Sequence, residues 1–151
     1  MADSERLDAK GPVTTEAGTA RLGYVIAIVV NVVLLVVVQN ILGSDLAPFL
    51  TADFALVEPW ITLSLTASIL ANVVYLRNVT PQVKAIGQIV INLLSVVVTY
   101  RILVVFPFDF TGYDFDWETV ARVVLILAMV GSFIGAAAEL PKLITPRTVR
   151  R

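Results

Sequence analysis

Residues 83–106 read VKAIGQIVINLLSVVVTYRILVVF, and this run decides the class of fold. Its two charged side chains, Lys84 and Arg101, both lie toward its ends. A helix of about 20 apolar residues crosses the ~30 Å hydrocarbon core of a bilayer. Because lipid offers the backbone no hydrogen bonds, a single run of this kind must be helical there. The run therefore predicts a transmembrane helix.

Three further apolar runs, at residues 22–42, 59–76 and 119–140, resemble this one in length and composition. Over the whole chain 58% of the residues are hydrophobic and 15% are charged, whereas soluble domains carry about a quarter charged residues. The sequence thus predicts an all-α integral membrane protein, with a bundle of four transmembrane helices in residues 21–141. Residues 1–20 are predicted to be a flexible polar segment and residues 142–151 a basic tail, both cytoplasmic.

The basic residues fall mainly on one side of the four predicted spans. Nine of the eleven lie before the first span, between the second and third or at the start of the third (Lys84), or after the fourth. The other two connecting segments hold seven acids: Asp45, Asp53, Glu58, Asp109, Asp114, Asp116 and Glu118. The positive-inside rule then places both termini in the cytoplasm, and we expect the cell (plasma or inner) membrane of a bacterium or archaeon. The basic tail suits attraction to anionic headgroups, although topology alone would also account for its charge.

The two halves of the sequence match when one is shifted by 61 residues. Ten of the 27 positions from 28 to 54 are then identical, including Asn31 with Asn92 and the motif Phe-x-x-x-Asp-Phe at 49–54 with 110–115. The match indicates two tandem helical hairpins in parallel orientation, related by an axis along the membrane normal, with similar outer loops. Likeness of composition between two membrane hairpins is the alternative explanation.

Polar side chains recur at helical spacing within the predicted spans. Four share one face of the third span, and one each from the first and second spans could join them: Gln88, Asn92, Ser95, Thr99, Asn31 and Asn72. An amide that faces lipid is costly, so these side chains are expected to hydrogen-bond between helices. The alternative is a path for a small polar solute or ion, which would require a homo-oligomer because four helices alone enclose little space.

Two arginines, Arg101 and Arg122, lie just inside the predicted outer ends of the third and fourth spans. We expect a charge network between them and the nearby acids, which are Asp109, Asp114, Asp116 and Glu118. The functional alternative is a site for an anion or a lipid headgroup at the outer surface.

The segment 106–118, FPFDFTGYDFDWE, alternates aromatic and acidic residues over much of its length. A soluble loop seldom carries so many aromatic side chains unless something covers them. The segment could close over the helices, lie among lipid headgroups or bind a membrane-protein partner. Phe108, Phe110 and Trp117 are the candidate contact residues.

The composition excludes several kinds of chemistry. The chain has no histidine and no cysteine, which removes common metal ligands, thiol nucleophiles and disulfides. No cofactor, metal or catalytic residue is predicted, and a net charge of −1 with no cytoplasmic domain argues against nucleic-acid binding. The sequence favours a non-enzymatic membrane protein that acts through helix–helix and outer-loop contacts, as an accessory or assembly subunit. A small oligomeric channel or carrier, lined by the polar face of the third span, is the alternative.

The predicted topology can be tested with single cysteines, because the chain has none of its own. A membrane-impermeant maleimide added to intact cells should label Asp45→Cys and Asp114→Cys but not Lys10→Cys or Lys142→Cys. All four positions should react once the membrane is permeabilised. Labelling of Lys10→Cys or Lys142→Cys in intact cells would contradict the placement of both termini in the cytoplasm.

Overall fold

The computed structural model describes residues 11–42, 44–77 and 80–144. These residues form four α-helices and one short 3-10 helix. In chain order they are α1 (Gly11–Ile41), the 3-10 helix (Ala52–Leu56), α2 (Glu58–Tyr75), α3 (Pro81–Val105) and α4 (Trp117–Ile144). Each apolar run in the sequence corresponds to one α-helix, which confirms the all-α class.

Three of these helices are long and apolar enough to cross a membrane: Gly18–Ile41 within α1, Pro81–Val105 and Trp117–Ile144. A chain with three such helices has the character of a membrane protein. The helix α2, with 18 residues, is not among them. Its apolar residues are interrupted by threonine, serine and asparagine, and it begins with a glutamate and a proline.

Two helices extend beyond the predicted runs. The first begins at Gly11 rather than at residue 22, so the segment predicted to be flexible is helical from there on. The fourth continues through Pro141 to Ile144 and takes in the start of the predicted basic tail. Residues 1–10 and 145–151, the remainder of the two predicted terminal segments, lie outside the described residues.

Consecutive helices are neighbours in space. The helix α2 packs against α1 on one side and α3 on the other, and α3 makes its largest contact with α4. Within the described residues, no Cα atom of α1 lies within 8 Å of α3 or α4. The helices therefore form a row of two hairpins, α1–α2 and α3–α4, in place of the closed bundle in which α1 would also meet α4.

Buried side chains are few and concentrate near the ends of the helices. In the described part of the chain the apolar ones are Ala47, Phe54, Val57, Tyr75, Ala85, Pro107 and Ala136. Elsewhere large apolar side chains point outward, as Leu127 and Phe133 do with 64% of their surface exposed. Such a surface suits contact with lipid, because in a bilayer there is no hydrophobic driving force to bury apolar side chains between helices.

We call the end that carries the connections α1–α2 and α3–α4 the outer end, after the predicted topology. At the opposite, inner end, Tyr75 of α2 is only 3% exposed. Its ring lies 5.6 Å from that of Tyr24 in α1, and its hydroxyl donates a hydrogen bond of 3.2 Å to the Lys84 carbonyl in α3. The same lysine places its ammonium 5.1 Å from the centre of the Tyr24 ring. Three helices thus meet around one tyrosine.

The tyrosine fits because Gly87 of α3 has no side chain. A Cβ atom at Gly87 would overlap the Tyr75 hydroxyl and ring, whereas one at Gly131 of α4 would meet nothing within 4 Å. The two glycines therefore form a matched pair: the first permits a close approach of helices and the second lies in open space.

We expect Gly87→Ala to lower stability by about 1–3 kcal/mol, the usual cost of overpacking a tight contact. Gly131→Ala should be neutral or slightly stabilising, because alanine favours the helix and has room there. Thermal unfolding in detergent, followed by circular dichroism, measures both. Equal effects of the two substitutions would contradict the packing of Tyr75 against Gly87.

Candidate functional site

The outer connections of the two hairpins join through the backbone. Leu50 and Phe108 form an isolated antiparallel bridge. Two hydrogen bonds flank it, from the Thr51 N–H to the Pro107 carbonyl (3.0 Å) and from the Asp109 N–H to the Phe49 carbonyl (2.8 Å). These bonds cross from one hairpin to the other, so the two connections form a single surface at the outer end.

The end of α3 directs the chain into this bridge. Phe106 has φ 45° and ψ 66°, a left-handed conformation that ends the helix, and the buried Pro107 follows it. A bulky residue in this region is strained. Its ring is held on two sides, by an edge contact with Phe108 at 5.4 Å and by the Arg122 guanidinium at 3.9 Å. These contacts offset the strain at the turn.

An aromatic cluster covers the bridge. Its members are Phe49, Phe106, Phe108, Phe110 and Tyr113, with neighbouring ring centres 5.4–6.3 Å apart. Phe49 and Phe110, the phenylalanines that the shift of 61 residues makes equivalent, stack on each other at 5.8 Å. Aromatic pairs in this range each contribute about 0.5–1.5 kcal/mol beyond the area that they bury. The cluster therefore strengthens the joint between the hairpins.

The two copies of the Phe-x-x-x-Asp-Phe motif differ in conformation. In the first copy Ala52–Leu56 form the 3-10 helix and Phe54 is buried. In the second copy residues 111–115 form turns and bends, and Phe115 is 60% exposed. The similar loop geometry expected from the repeat is thus not found, although the two copies meet through their first phenylalanines.

The three predicted contact residues have different environments. Phe108 and Phe110 are half-buried within the aromatic cluster, where they hold the loop in place. Trp117 is 45% exposed and packs edge-on against Phe115 at 5.0 Å. Phe49 and Phe115 were not predicted from the sequence as contact residues. The alignment of Phe49 with Phe110 in the repeat could have indicated the role of Phe49.

The predicted charge network is present only in part. Arg122 pairs with Glu118 one turn earlier in α4, at 2.9 Å. This pair is exposed, so it contributes little, typically below about 1 kcal/mol. Asp109 and Asp116 bind threonines instead, and Asp114 is exposed. Because these threonines are only two or three residues away, Asp109 and Asp116 form hydrogen bonds with them and no ion pairs with the arginines.

Arg101 has no carboxylate partner among the described residues. Its guanidinium carbon lies 5.4 Å from the centre of the Trp60 ring in α2. Its Nε atom is buried and lacks a hydrogen-bond partner, as do the hydroxyl oxygens of Thr51 and Thr62. Arg101 is thus held by a cation–π contact, in place of the expected ion pair.

Two of the outer aspartates stabilise turns. The N–H and hydroxyl of Thr111 both donate to Asp109, at 2.9 and 2.7 Å, and lower the pKa of that carboxyl below its ordinary value. Asp116 precedes α4, and its carboxylate accepts a hydrogen bond of 3.0 Å from the Thr119 N–H. The Thr119 hydroxyl and N–H together lower the pKa of Asp116. Both carboxylates therefore stay ionised at neutral pH.

The amides of Asn31 and Asn72 form hydrogen bonds within their own helices and not between helices. The amides of Asn31 and Asn72 donate to carbonyls four residues back in their own helices, Ala27 at 2.7 Å and Ser68 at 2.8 Å. These bonds satisfy one of the two amide protons without a partner helix. Neither asparagine therefore depends on an acceptor in α3 for this hydrogen bond.

The predicted polar face of α3 is divided. Asn92 is half-buried next to Gly135 of α4, where an added Cβ atom would lie 3.1 Å from the Asn92 amide nitrogen. Ser95 and Thr99 are half-buried as well, whereas Gln88 is exposed. Gly135 thus admits an amide between α3 and α4, and Gln88 faces away from the other described residues.

Two adjoining cavities open at the outer end. One, of about 480 Å³, is lined by Phe49, Phe110, Tyr113 and Trp117. The other, of about 590 Å³, shares the last three and adds acids of the same loop. A third, apolar cavity of about 280 Å³ lies along α3 and α4. No residue of the predicted polar path lines any of these three cavities.

No group of three or more acidic side chains within residues 11–42, 44–77 and 80–144 has a geometry that could hold a metal ion.

No protein-family model, curated protein or solved structure matches this chain.

The cap of α4 gives a test of the outer end. We expect Asp116→Ala to lower the melting temperature in detergent, because the Thr119 N–H loses its acceptor, whereas Asp116→Asn should retain most of the stability, since asparagine also caps helices well. The lowered pKa means that the carboxylate stabilises the fold above its ordinary pKa of 3.8 and that this contribution is lost as the pH falls through the folded value. The wild-type advantage over Asp116→Asn should therefore be full at neutral pH and should shrink as the pH falls to the ordinary value of 3.8 and below it. An advantage that does not change over this range would contradict the role of the charge.

Proposed function

We propose that this chain is a non-enzymatic integral membrane protein that acts through contacts of its outer loop and of its helices, as an accessory or assembly subunit. The observation that carries the proposal is the exposed aromatic edge of the segment 106–118. Tyr113, Phe115 and Trp117 are 46%, 60% and 45% exposed, while the rings beneath them are held in a cluster. Exposed aromatic side chains on a fixed support are typical of contact sites.

The support of this edge is built from both hairpins. The bridge between Leu50 and Phe108 and the stacking of Phe49 on Phe110 fix the base of the loop. The cap by Asp116 fixes its far end at α4. A binding partner would therefore meet a surface that is already ordered, which lowers the entropy cost of association.

A contact along the helices is supported by Gln88. It lies two turns inside α3, and its side chain is exposed. An amide that faces lipid lacks the hydrogen bonds that water would provide. Another helix, from a second copy or from a partner protein, supplies them in many membrane proteins.

The proposal includes a membrane topology with four spans. The helix α2 is about 27 Å long at 1.5 Å per residue, close to the ~30 Å of a hydrocarbon core. It lies between α1 and α3, and Thr62, Ser64 and Ser68 are half-buried there. Since protein covers two sides of α2, it tolerates more polar residues than a helix in contact with lipid alone. Both termini would then be cytoplasmic, in a cell or inner membrane.

We expect a photo-crosslinking phenylalanine analogue in place of Phe115 to trap a discrete protein in intact membranes. The same analogue in place of Leu46, an exposed residue of the other outer connection (82% exposed), serves as the matched control and should trap none. Trp117→Ser should weaken the cross-link at position 115 about tenfold or more, because a central interface aromatic contributes about 2 kcal/mol. Gel electrophoresis and mass spectrometry measure the product.

Two results would contradict this proposal. One is equal cross-linking from positions 115 and 46, which would show non-specific proximity. The other is transport: flux of ions or small polar solutes by the purified chain in proteoliposomes, abolished by Asn92→Leu, would favour the channel or carrier instead.

A further inference from the structure

The cavity of about 480 Å³ at the outer end has aromatic walls. Phe49 comes from the first hairpin, and Phe110, Tyr113 and Trp117 from the second. Its volume falls within the range of about 300–1,000 Å³ that is usual for small-molecule sites. Because the Phe49–Phe110 stack and the Phe110–Tyr113 edge contact (6.2 Å) fix three of the rings, the walls exist before any ligand enters.

The adjoining cavity supplies negative charge to the same rings. It shares Phe110, Tyr113 and Trp117 and is lined in addition by four carboxylates, those of Asp109, Asp114, Asp116 and Glu118. Only Glu118 is neutralised, by its pair with Arg122. Three exposed carboxylates therefore lie beside the rings, and two of them have pKa values lowered by their threonine partners.

Aromatic faces and carboxylates together select one class of ligand. The face of an aromatic ring carries negative electrostatic potential and attracts alkylammonium groups within about 6 Å, and rings of this kind form the cages that recognise quaternary ammonium ions. Carboxylates repel anions and raise the local concentration of cations. A neutral apolar ligand could pack against the rings, but the carboxylates would not stabilise its binding.

The cluster already holds one cation of this chain. The Arg122 guanidinium lies 3.9 Å from the centre of the Phe106 ring, and Phe106 in turn contacts Phe108. A cation–π contact is therefore formed by the ring system next to the cavity. The rings that line the cavity itself have no such partner among the described residues.

We propose that the cavity between Phe49, Phe110, Tyr113 and Trp117 binds an organic ammonium cation, with its charge turned toward the carboxylates of Asp109, Asp114 and Asp116. The ammonium group belongs either to a phospholipid headgroup of the outer leaflet or to a free cation in solution. This site shares Tyr113 and Trp117 with the exposed edge proposed above as a partner contact, but it uses the cavity that these rings line and not the exposed face of Phe115.

Tryptophan fluorescence can follow the cavity directly. The chain has two tryptophans, and Trp60 does not line either outer cavity. In the full-length Trp60→Phe variant, Trp117 is the sole tryptophan and reports on the site. Tetramethylammonium chloride is the probe, sodium chloride controls for ionic strength, and tert-butanol is a neutral molecule of similar shape.

We expect tetramethylammonium to change the Trp117 emission with saturation, while sodium chloride and tert-butanol do not. Tyr113→Leu should raise the half-saturation concentration of tetramethylammonium about tenfold, because leucine keeps apolar bulk but lacks the aromatic face. Tyr113→Phe should restore binding. Tyr100→Leu, which alters an exposed tyrosine on α3 (55% exposed), is the matched control and should leave the titration unchanged.

The carboxylates are tested separately. Asp114→Asn removes a charge that makes no hydrogen bond in the described structure, so the loop should keep its shape, and we expect binding to weaken about threefold at low salt. Asp45→Asn, in the other outer connection, is the control and should have no effect.

The outcomes decide the proposal. A titration with tert-butanol that matches the one with tetramethylammonium would overturn the choice of a cation, and unchanged binding in Tyr113→Leu would overturn the site. Vesicles of phosphatidylcholine and of digalactosyldiacylglycerol, which are both without net charge, distinguish the two sources because only the first lipid carries an ammonium group. If the lipid headgroup occupies the cavity, free tetramethylammonium should bind more weakly in phosphatidylcholine; equal binding in both lipids assigns the site to a free cation. The titration with tetramethylammonium uses the purified chain without a partner protein, and cross-linking at position 115 uses no added cation, so a failure of one proposal is distinguishable from a failure of the other.

Discussion

In a hydrocarbon solvent, apolar side chains gain almost nothing by meeting each other, because lipid tails are as apolar as leucine. The helices of this chain must therefore be joined by something other than a hydrophobic core. The described residues place those joints near the ends. At the inner end Tyr75 fills the space that Gly87 leaves and bonds to the backbone of α3. At the outer end the Leu50–Phe108 bridge and the aromatic cluster join the two hairpins.

The outer joint explains why the site lies where it does. A loop with as many exposed aromatic rings as the segment 106–118 would be poorly ordered if it were attached only to α3 and α4. The backbone hydrogen bonds from Asp109 to Phe49 and from Thr51 to Pro107 join it to the first hairpin as well. The same rings that fasten the hairpins also form the walls of the cavity. Structural support and binding surface are thus provided by one set of side chains.

The four helices could be predicted from the sequence because their apolar runs match the thickness of a bilayer, although α1 and α4 extend beyond those runs. The side-chain contacts that join the helices could be predicted only in part. Asp116 and Asp109 bond to threonines two or three residues away, and such short-range bonds compete with the longer-range ion pairs that charge counting suggests. Arg101 meets the Trp60 ring, a partner that no count of charges would reveal. The amides of Asn31 and Asn72 likewise find acceptors in their own helices.

The arrangement of the helices in a row bears on how the chain assembles during synthesis. The main packing contacts between the described α-helices join helices that follow each other in the sequence. Contacts between such near neighbours close short loops and form quickly, and a chain emerges from the ribosome with its N-terminal part first. Each new helix can therefore dock on the one before it without rearranging those already in place. The bridge between Leu50 and Phe108 and the contact of Lys84 with Tyr24 join parts that are more distant in the sequence. They can form only after the second hairpin has begun to pack against the first.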